Sequence, residues 1–368
     1  MPGIFAKGGR LAPINRCTCQ RFSDNWHLGD KMQYTDDKLV NKVILITGGA
    51  GFIGSSLAFY FQENHPAAKV VVVDIFRGVK TLSNGNLKSF GHYKNLVGFK
   101  GEVLYGDINE AALMEQLFKN YRFDYIFHQA AISDTTALEQ DLMIQTNVNA
   151  FKRLLDIAVS HKAGMIYASS GAVYGNAPSP QKVGNELPQN VYGFSKLMMD
   201  NIAKEYIEKN KEMHLVGLRY FNVYGSREFF KNKTASMVVQ LGHQILSGKA
   251  PRLFEGSDKI LRDFIYIEDV IQANIRAMHP AKNGIFNVGT GKARSFQDIA
   301  NILQKELHTN YGNEFIKNPF IGQYQFFTQA DISPTVKALD YHPRFELEDG
   351  IEAYIPEIKR LFQDEVAR

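Results

Sequence analysis

The hydrophobic positions from residue 43 onward alternate between short apolar runs and a helical spacing. Residues 43–46 (VILI) form an apolar run that predicts a buried parallel strand. A glycine-rich turn follows. The apolar stretch 52–63 then predicts a helix, and residues 69–74 (KVVVVD) predict a second strand rich in β-branched residues. Strand, helix and strand within about 32 residues make one βαβ unit.

The same alternation continues to about residue 220 and predicts the fold class. Strands are expected near 102–105 and at 124–128, 164–168 and 214–220, with helices at 110–120, 141–160 and 191–209. Such alternation favours an α/β fold in which a doubly wound parallel sheet, Rossmann-like, is covered by helices on both faces. Beyond Tyr224 the pattern loosens into loops, a helix near 234–248 and short strands. We therefore expect one domain over 32–222, to which some later segments return, and a smaller C-terminal lobe over 223–368.

Composition excludes several classes of protein. The 368 residues are 45% hydrophobic and 22% charged, which is enough apolar content to bury a core and argues against a disordered or low-complexity chain. No uncharged apolar run approaches the roughly 18–20 residues of a transmembrane helix, so we expect no membrane association.

The first 31 residues differ from the rest of the chain. They hold five basic and two acidic residues, and so carry +3 of the net charge of +4. The remainder is nearly neutral and gives no support for a nucleic-acid surface. Both cysteines, Cys17 and Cys19, lie here, so no disulfide is expected in the fold and a reducing, cytoplasmic setting fits. With only His27 nearby they make a poor metal site, and we expect no metal. We interpret residues 1–31 as a non-native or disordered extension, vector-derived or translated upstream sequence, with Met32 as the natural start.

The turn after the first predicted strand has the composition of a phosphate-binding loop. In TGGAGFIG (47–54), Gly48 permits a tight turn, Gly51 lets the backbone approach a pyrophosphate, and Gly54 lets the helix pack closely on the strand. The helix N-terminus then offers free N–H groups to the phosphates. Asp74 ends the next predicted strand 20 residues after Gly54, where an acid meets the adenosine ribose. This context predicts dinucleotide binding.

The residues after Asp74 leave the choice of dinucleotide open. Asp74 favours NAD, because a carboxylate accepts a hydrogen bond from the ribose 2′-hydroxyl. Arg77 and Lys80 lie just beyond it and are suited to a 2′-phosphate, or else are solvated loop charges. From these residues NAD and NADP are about equally supported.

A tyrosine and a lysine one helical turn apart suggest acid/base chemistry. Tyr192 and Lys196 stand at i and i+4 near the start of a predicted helix and share a face. Tyrosine has a pKa of about 10, and we expect the nearby cation to lower it. Ser170 closes an earlier strand at the edge of the sheet where ligands bind, and is placed to hydrogen-bond a substrate oxygen. The alternative interpretation of this pair is structural: a tyrosine that packs in the core beside a lysine whose ammonium group extends to solvent.

These motifs, in this order, resemble the extended short-chain dehydrogenase/reductases that act on nucleotide sugars, and within them the ADP-L-glycero-D-manno-heptose 6-epimerase family. The resemblance covers about residues 33–360. The glycine loop and Y-x-x-x-K are general to the superfamily, whereas other stretches are more specific to the 6-epimerases. These stretches are FHQAAISDTT (127–136), NVYGFSK (190–196), LRYFNVYGSREFFKNKTAS (218–236), LFEGSDKILRDFIYIEDV (253–270), GIFNVGTGKARSF (284–296) and YQFFTQAD (324–331).

The resemblance implies an activity. It implies an isomerase that uses NADP to oxidise C6 of the heptose in ADP-heptose to a 6-keto group and then reduces the other face, which supplies activated heptose for the lipopolysaccharide core. It implies two acid/base groups, with Tyr192 as the first and Lys231 as the second, supported by Ser170 and Lys196. From the residues alone Lys231 reads as an exposed loop lysine. The resemblance also implies a homo-oligomer, with a pentamer as the expected assembly.

The resemblance also assigns contacts residue by residue. The first domain is expected to bind the cofactor, with contacts at Gly48, Gly51, Phe52, Ile53, Gly54, Asp74, Ile75, Arg77, Lys80, Gln129, Ala130, Ala131, Ile132, Ser133, Asn147, Lys196, Val223 and Lys231. Substrate contacts are expected at Ser170, Asn222, Lys233, Gln240, Phe254, Glu255, Gly256, Ser257, Arg262 and Tyr324. The planar guanidinium of Arg262 suits a diphosphate, although a surface salt bridge is its commoner role.

Three alternatives are weighed. A 4,6-dehydratase needs an added acid and base after the serine, and residues 169–174 (SSGAVY) contain no carboxylate. A UDP-hexose 4-epimerase that uses NAD has the same fold and is the closest enzymatic alternative. A non-catalytic cofactor sensor would usually lose Tyr192 or Lys196, and this chain keeps both.

Overall fold

Seven parallel strands form the central sheet of the computed structural model, which describes residues 33–317 and 326–366. The strands within the described residues are β1 (Val43–Thr47), β2 (Lys69–Asp74), β3 (Glu102–Tyr105), β4 (Tyr125–His128), β5 (Gly164–Ser170), β6 (Leu215–Tyr220), β7 (Asn222–Tyr224), β8 (Arg252–Phe254), β9 (Leu261–Tyr266), β10 (Gly284–Val288), β11 (Ala293–Ser295) and β12 (Glu314–Ile316). The sheet has the order β3-β2-β1-β4-β5-β6-β10, which is the doubly wound order with one further strand beside β6. The predicted fold class is confirmed.

The helices cover both faces of this sheet. They are α1 (Phe52–Asn64), α2 (Ala111–Asn120), α3 (Gln140–Met143), α4 (Ala150–His161), α5 (Val191–Lys209), α6 (Met237–Leu246), α7 (Ile267–Arg276), α8 (Phe296–Glu306), α9 (Ser333–Leu339) and α10 (Leu347–Val366). Short 3₁₀-helical segments lie at Tyr93–Leu96, Gly171–Tyr174 and Phe229–Thr234, the last with a kink at Asn232, and a π-helical segment spans Ile144–Asn149.

Alternate residues of each strand build the two halves of the core. On β1, Ile44 and Ile46 pack with α1 and α7 on one face, and Leu45 packs with α2, α4 and α5 on the other. Both faces are apolar because a parallel sheet is covered on both sides, which explains the nearly continuous apolar runs in the sequence.

Short strands form two further, smaller sheets. β7, β9 and β11 form a three-stranded sheet, and β8 pairs with β12. β10 lies after residue 223 but joins the central sheet beside β6, in register from Gly284 opposite Val216. Residues 1–32 lie outside the described part of the chain, so the interpretation of residues 1–31 and of Met32 stays a prediction, as do the two domain boundaries.

Two predicted helices differ from the structure. The helix expected over 141–160 consists of α3 and α4 with the π-helical segment between them. The helix expected near 234–248 is shorter, because Ala235 and Ser236 are extended (ψ 160° and 159°) and separate α6 from the 3₁₀ turn before it. Within the described residues, none of the helices combines the length and apolarity that a membrane span requires.

A buried ion pair ties α5 to the sheet. The Asp200 carboxylate accepts hydrogen bonds from Arg219 Nε (2.8 Å), Ser169 Oγ (3.0 Å) and Tyr167 Oη (2.8 Å). Arg219 is fully buried and also pairs with Glu186 at 2.6 Å. Three buried donors therefore depend on one carboxylate.

Replacing Asp200 by Asn should lower the free energy of unfolding by about 3–5 kcal/mol, because it removes the charge of one of the two carboxylates, Asp200 and Glu186, that pair with the buried Arg219 guanidinium. Urea denaturation measures the change. Lys209→Ala is the matched control. It breaks an exposed salt bridge within α5, between Lys209 and Glu205 (3.6 Å), and should have a much smaller effect on the free energy of unfolding. Equal effects of the two variants would contradict this role for Asp200.

Candidate functional site

A cavity of about 720 Å³ opens at the carboxyl ends of β1, β2, β4 and β5. It lies where the strand order reverses between β1 and β4, which is where doubly wound sheets bind ligands. Twenty of the residues predicted from the sequence line it: Gly48, Gly51, Phe52, Ile53, Gly54, Asp74, Ile75, Gln129, Ala130, Ala131, Ile132, Ser133, Ser170, Tyr192, Lys196, Asn222, Val223, Lys231, Lys233 and Gln240.

The glycine loop has the geometry of a phosphate cradle. Gly48 has φ +69°, and a Cβ there would lie 2.6 Å from the Ala130 nitrogen. A Cβ at Gly54 would lie 2.3 Å from the Gly48 oxygen, so α1 packs against the loop with no space for a side chain. α1 begins at Phe52 with no side-chain cap at its N-terminus. Its free N–H groups and positive dipole end therefore suit an anion such as a pyrophosphate.

Asp74 closes the cavity at the end of β2. Its side chain is buried, with Oδ2 accepting from the Ala50 N–H (2.9 Å) and Oδ1 from the Phe76 N–H (2.7 Å). Burial raises the pKa of this carboxyl, and the two backbone donors act in the opposite direction. Asp74 thus joins the glycine loop to the segment that follows β2, on the wall where an adenosine ribose is expected.

Asn147 acts one layer behind the cavity wall. It is fully buried in the π-helical segment, where its Oδ1 accepts from Ile132 N and its Nδ2 donates to Ile132 O, both at 2.9 Å. The amide thereby fixes the backbone after β4, whose side chains line the cavity. Sequence reasoning predicts a cofactor contact here. The structure places Asn147 as a support of that stretch, and π-helical segments often mark functional sites.

The predicted acid/base pair lies at the start of α5. Tyr192 is 9% exposed, and its pKa is raised by burial and lowered by a hydrogen bond with the Ser170 hydroxyl. Lys196 Nζ donates to the Ala168 carbonyl (2.8 Å) and lies 5.8 Å from the centroid of the Tyr192 ring. Burial lowers the pKa of Lys196 to about 8, against the charge of Asp200. The expectation that the lysine brings the tyrosine pKa below 10 is not met, because burial dominates the pKa of Tyr192.

Lys231 is the second ionisable group predicted to act on the substrate. It lies in the 3₁₀ turn Phe229–Thr234 and is half-buried on the cavity wall, with Nζ 6.0 Å from the centroid of the Phe52 ring. Burial lowers its pKa, and the charge of Glu228 raises it. A lysine that gives up its proton more easily than usual is suited to acid/base work.

Other predicted residues lie off the cavity wall. Lys80 is exposed, and the Arg77 guanidinium donates to the Phe230 carbonyl. Arg262 is buried in β9 and donates to the Leu261 carbonyl (2.9 Å). Tyr324 lies outside the described residues. The structure does not bring these residues into the described cavity: Arg77, Lys80, Asn147, Phe254, Glu255, Gly256, Ser257 and Arg262.

Sequence reasoning missed several residues of the wall. Lys88 lines it in the segment after Asp74, whereas Arg77 and Lys80 of the same segment do not. Asp107 follows the carboxyl end of β3, a position at which the rule for doubly wound sheets would have found it. Among the described residues no group of three or more His, Cys, Asp or Glu side chains is arranged to hold a metal ion.

Comparison with known proteins identifies similar chains. The model of the NAD dependent epimerase/dehydratase family matches residues 44–289. An ADP-L-glycero-D-manno-heptose-6-epimerase from Brachyspira hyodysenteriae is 38% identical over 320 residues, which cover 85% of this chain and 96% of that protein. The crystal structure of the enzyme of that name from Helicobacter pylori is 53% identical with a TM-score of 0.81, covering 89% of this chain and 99% of the other. A UDP-glucose 4-epimerase from Thermotoga maritima, solved with UDP-glucose, is 26% identical with a TM-score of 0.76, covering 87% and 99%.

Adding one methyl group at Gly54 should weaken dinucleotide binding strongly, because a Cβ 2.3 Å from the Gly48 oxygen must displace the loop. We expect Gly54→Ala to purify without bound dinucleotide and to show at least a tenfold weaker binding in calorimetry, equivalent to about 1.4 kcal/mol. Gly78→Ala is the control, since a Cβ there meets nothing within 4 Å. Unchanged binding by Gly54→Ala would show that the loop does not hold the phosphates.

Proposed function

This chain belongs to the NAD dependent epimerase/dehydratase family and is an epimerase, and we propose that it inverts C6 of the heptose in ADP-glycero-manno-heptose. The reaction passes through oxidation to a 6-keto sugar and re-reduction from the opposite face. The observation that carries the proposal is that Tyr192 and Lys231, from two separate parts of the chain, line one cavity with the phosphate cradle. The names of the relatives from B. hyodysenteriae and H. pylori support the same substrate.

The residues of the cavity fit a nicotinamide dinucleotide. The glycine loop and the N-terminus of α1 suit its pyrophosphate, and Asp74 and Lys88 lie on the wall expected to face the adenosine ribose. A bound nicotinamide dinucleotide would supply reversible hydride transfer at C6 of the sugar, with no net oxidation of the substrate. We propose NADP rather than NAD, because the Asp74 carboxylate already accepts two backbone N–H groups and Lys88 brings a positive charge to this wall.

The chain's own residues supply proton transfer. An alcohol must lose its proton as it becomes a ketone and regain it on reduction, so a base is needed for each face of the sugar. Tyr192, held by Ser170, serves one face, and Lys231 serves the other. Lys196 holds the backbone at Ala168 and places a positive charge near the Tyr192 ring. A positive charge near a phenol favours the phenolate, which opposes the burial that raises the pKa of Tyr192.

The setting of the enzyme follows from the proposed substrate. An ADP-heptose made in this way serves as activated heptose for the lipopolysaccharide core, and we place the enzyme in the cytoplasm as a homo-oligomer. Size-exclusion chromatography with light scattering measures the oligomeric state, for which a pentamer is expected.

The purified protein should convert ADP-D-glycero-D-manno-heptose to the L-glycero epimer and leave UDP-glucose unchanged. NMR of the anomeric and H6 protons measures both reactions. The dinucleotide released on denaturation is identified by mass spectrometry, and NADP is expected. Turnover of UDP-glucose together with bound NAD would contradict the proposal and favour a UDP-hexose 4-epimerase.

Removing either proton-transfer group should stop catalysis without emptying the site. Tyr192→Phe and Lys231→Ala should each lower kcat by about 10²–10⁴-fold while the dinucleotide stays bound. A Lys231→Ala variant that changes only KM would make Lys231 a substrate-binding residue. Near-normal turnover by Tyr192→Phe would remove Tyr192 from the mechanism.

A further inference from the structure

Glu228 is a fully buried carboxylate three residues before Lys231. Its Oε1 accepts hydrogen bonds from the Gly225 N–H (3.1 Å) and the Ser236 hydroxyl (2.7 Å), and its Oε2 accepts from the Ser236 N–H (2.6 Å). One side chain thus bonds to both ends of residues 225–236, which we call the lysine loop. Neither the resemblance nor the sequence pattern assigned it a role.

The lysine loop is held at its two ends and by contacts along its length. Its 3₁₀ turn contains no fully buried residue, and Asn232 within it has φ 54° and ψ −126°, which is unusual for a residue with a Cβ. Along the loop, Arg227 donates to the Asn95 carbonyl (2.6 Å) and the Phe230 ring stacks on that of His92 (4.0 Å). Glu228 is the side chain at which the hydrogen bonds of the two ends meet.

We propose that Glu228 is a positioning residue for Lys231: its carboxylate closes the lysine loop and so places Lys231 on the cavity wall, and its negative charge acts on the Lys231 ammonium from within the loop. This inference rests on the proposed function, in which Lys231 transfers a proton. It adds that a residue behind the cavity wall sets where that proton lies and how readily it leaves.

The electrostatics of the loop agree with this geometry. Burial lowers the pKa of Lys231, and Glu228 opposes that effect. Burial raises the pKa of Glu228, while Ser236, the Gly225 N–H and the charge of Lys231 favour its charged form. From α10, the phenol of Tyr354 faces the same carboxylate. The other ionisable groups on the cavity wall around Lys231 are Asp74, Lys88, Asp107, Asp134, Tyr192, Lys196, Tyr220 and Lys233. Removing the charge of Glu228 should therefore lower the pKa of Lys231.

The first test measures that pKa directly and needs no substrate. The protein as purified, with its bound dinucleotide, is labelled with [ε-¹³C]lysine and titrated by NMR, and the Lys231 signal is assigned from its absence in Lys231→Arg. Glu228→Gln should lower the pKa of Lys231 by about one unit. Ser236→Ala, which removes one bond but keeps the charge, should leave that pKa in place. No shift in Glu228→Gln would overturn the electrostatic half of the proposal.

The second test separates positioning from general support of the fold. Glu228→Gln should lower kcat for ADP-heptose by about tenfold or more with KM unchanged, and that loss should disappear in a Lys231→Ala background, because the two residues then act as a unit. An equal fold-loss in both backgrounds would make Glu228 a structural residue only. A wild-type protein that does not turn over ADP-heptose would refute the proposed function, while the lysine titration would still decide the link between Glu228 and Lys231.

Glu228→Asp keeps the test decisive if Glu228→Gln does not fold. It retains the charge, so the pKa of Lys231 should stay within about half a unit. Its side chain is one carbon shorter and does not reach both ends of the lysine loop, so kcat should still fall. Wild-type turnover by Glu228→Asp would overturn the positioning half of the proposal.

Discussion

The site depends on a single buried carboxylate, that of Asp200. It accepts hydrogen bonds from Tyr167 and Ser169 on β5 and from Arg219 on β6, and it stands one turn after Lys196 on α5. These hydrogen bonds fix the position and the rotation of α5 against the sheet, since a slip of the helix would break all three and leave the buried Arg219 guanidinium with Glu186 but without Asp200. That rotation turns Tyr192 and Lys196 toward the end of β5, where Ser170 lies. The buried ion pair between Asp200 and Arg219 therefore fixes the positions of Tyr192 and Lys196 at the cavity.

The cofactor side of the cavity is fixed in a different way, by the absence of side chains. Gly48 and Gly54 lie so close to neighbouring backbone that any Cβ would overlap it. The loop is consequently shaped by van der Waals exclusion and by the start of α1, and the Asp74 carboxylate accepts the Ala50 N–H to complete it. Backbone hydrogen bonds and steric exclusion hold this end, and charged side chains hold the other. A rigid cradle and an ionisable, hydrogen-bonded acid/base region suit a reaction that needs a fixed hydride carrier and mobile protons.

Much of this arrangement was readable from the sequence, for identifiable reasons. The βαβ unit, the glycine spacing and the Tyr192–Lys196 pair are local patterns, and local patterns determine turns, helix faces and strand ends. The roles of Asn147 and Arg77 were harder to predict, because whether a polar side chain faces a ligand or the backbone depends on distant chain segments. The backbone partner of Asn147 is Ile132, and that of Arg77 is Phe230. No sequence pattern indicated a role for Glu228, because a glutamate in a loop usually lies in solvent and only the folded chain shows that it is buried.

The contacts around Phe230 show why the two ends of the cavity are one structural unit. The segment after Asp74 supplies Arg77, which donates to the Phe230 carbonyl, and His92, whose ring stacks on that of Phe230 at 4.0 Å with an interplanar angle of 3°. Phe230 immediately precedes Lys231, so the segment expected to contact the adenosine ribose also supports the lysine loop from outside, while Glu228 holds it from inside. Both supports act on a turn that has no fully buried residue of its own. In the proposed reaction, the position of Lys231 therefore depends on both the interior of the fold and the segment after Asp74, and this links the proposed proton transfer at the sugar to the integrity of the proposed cofactor site.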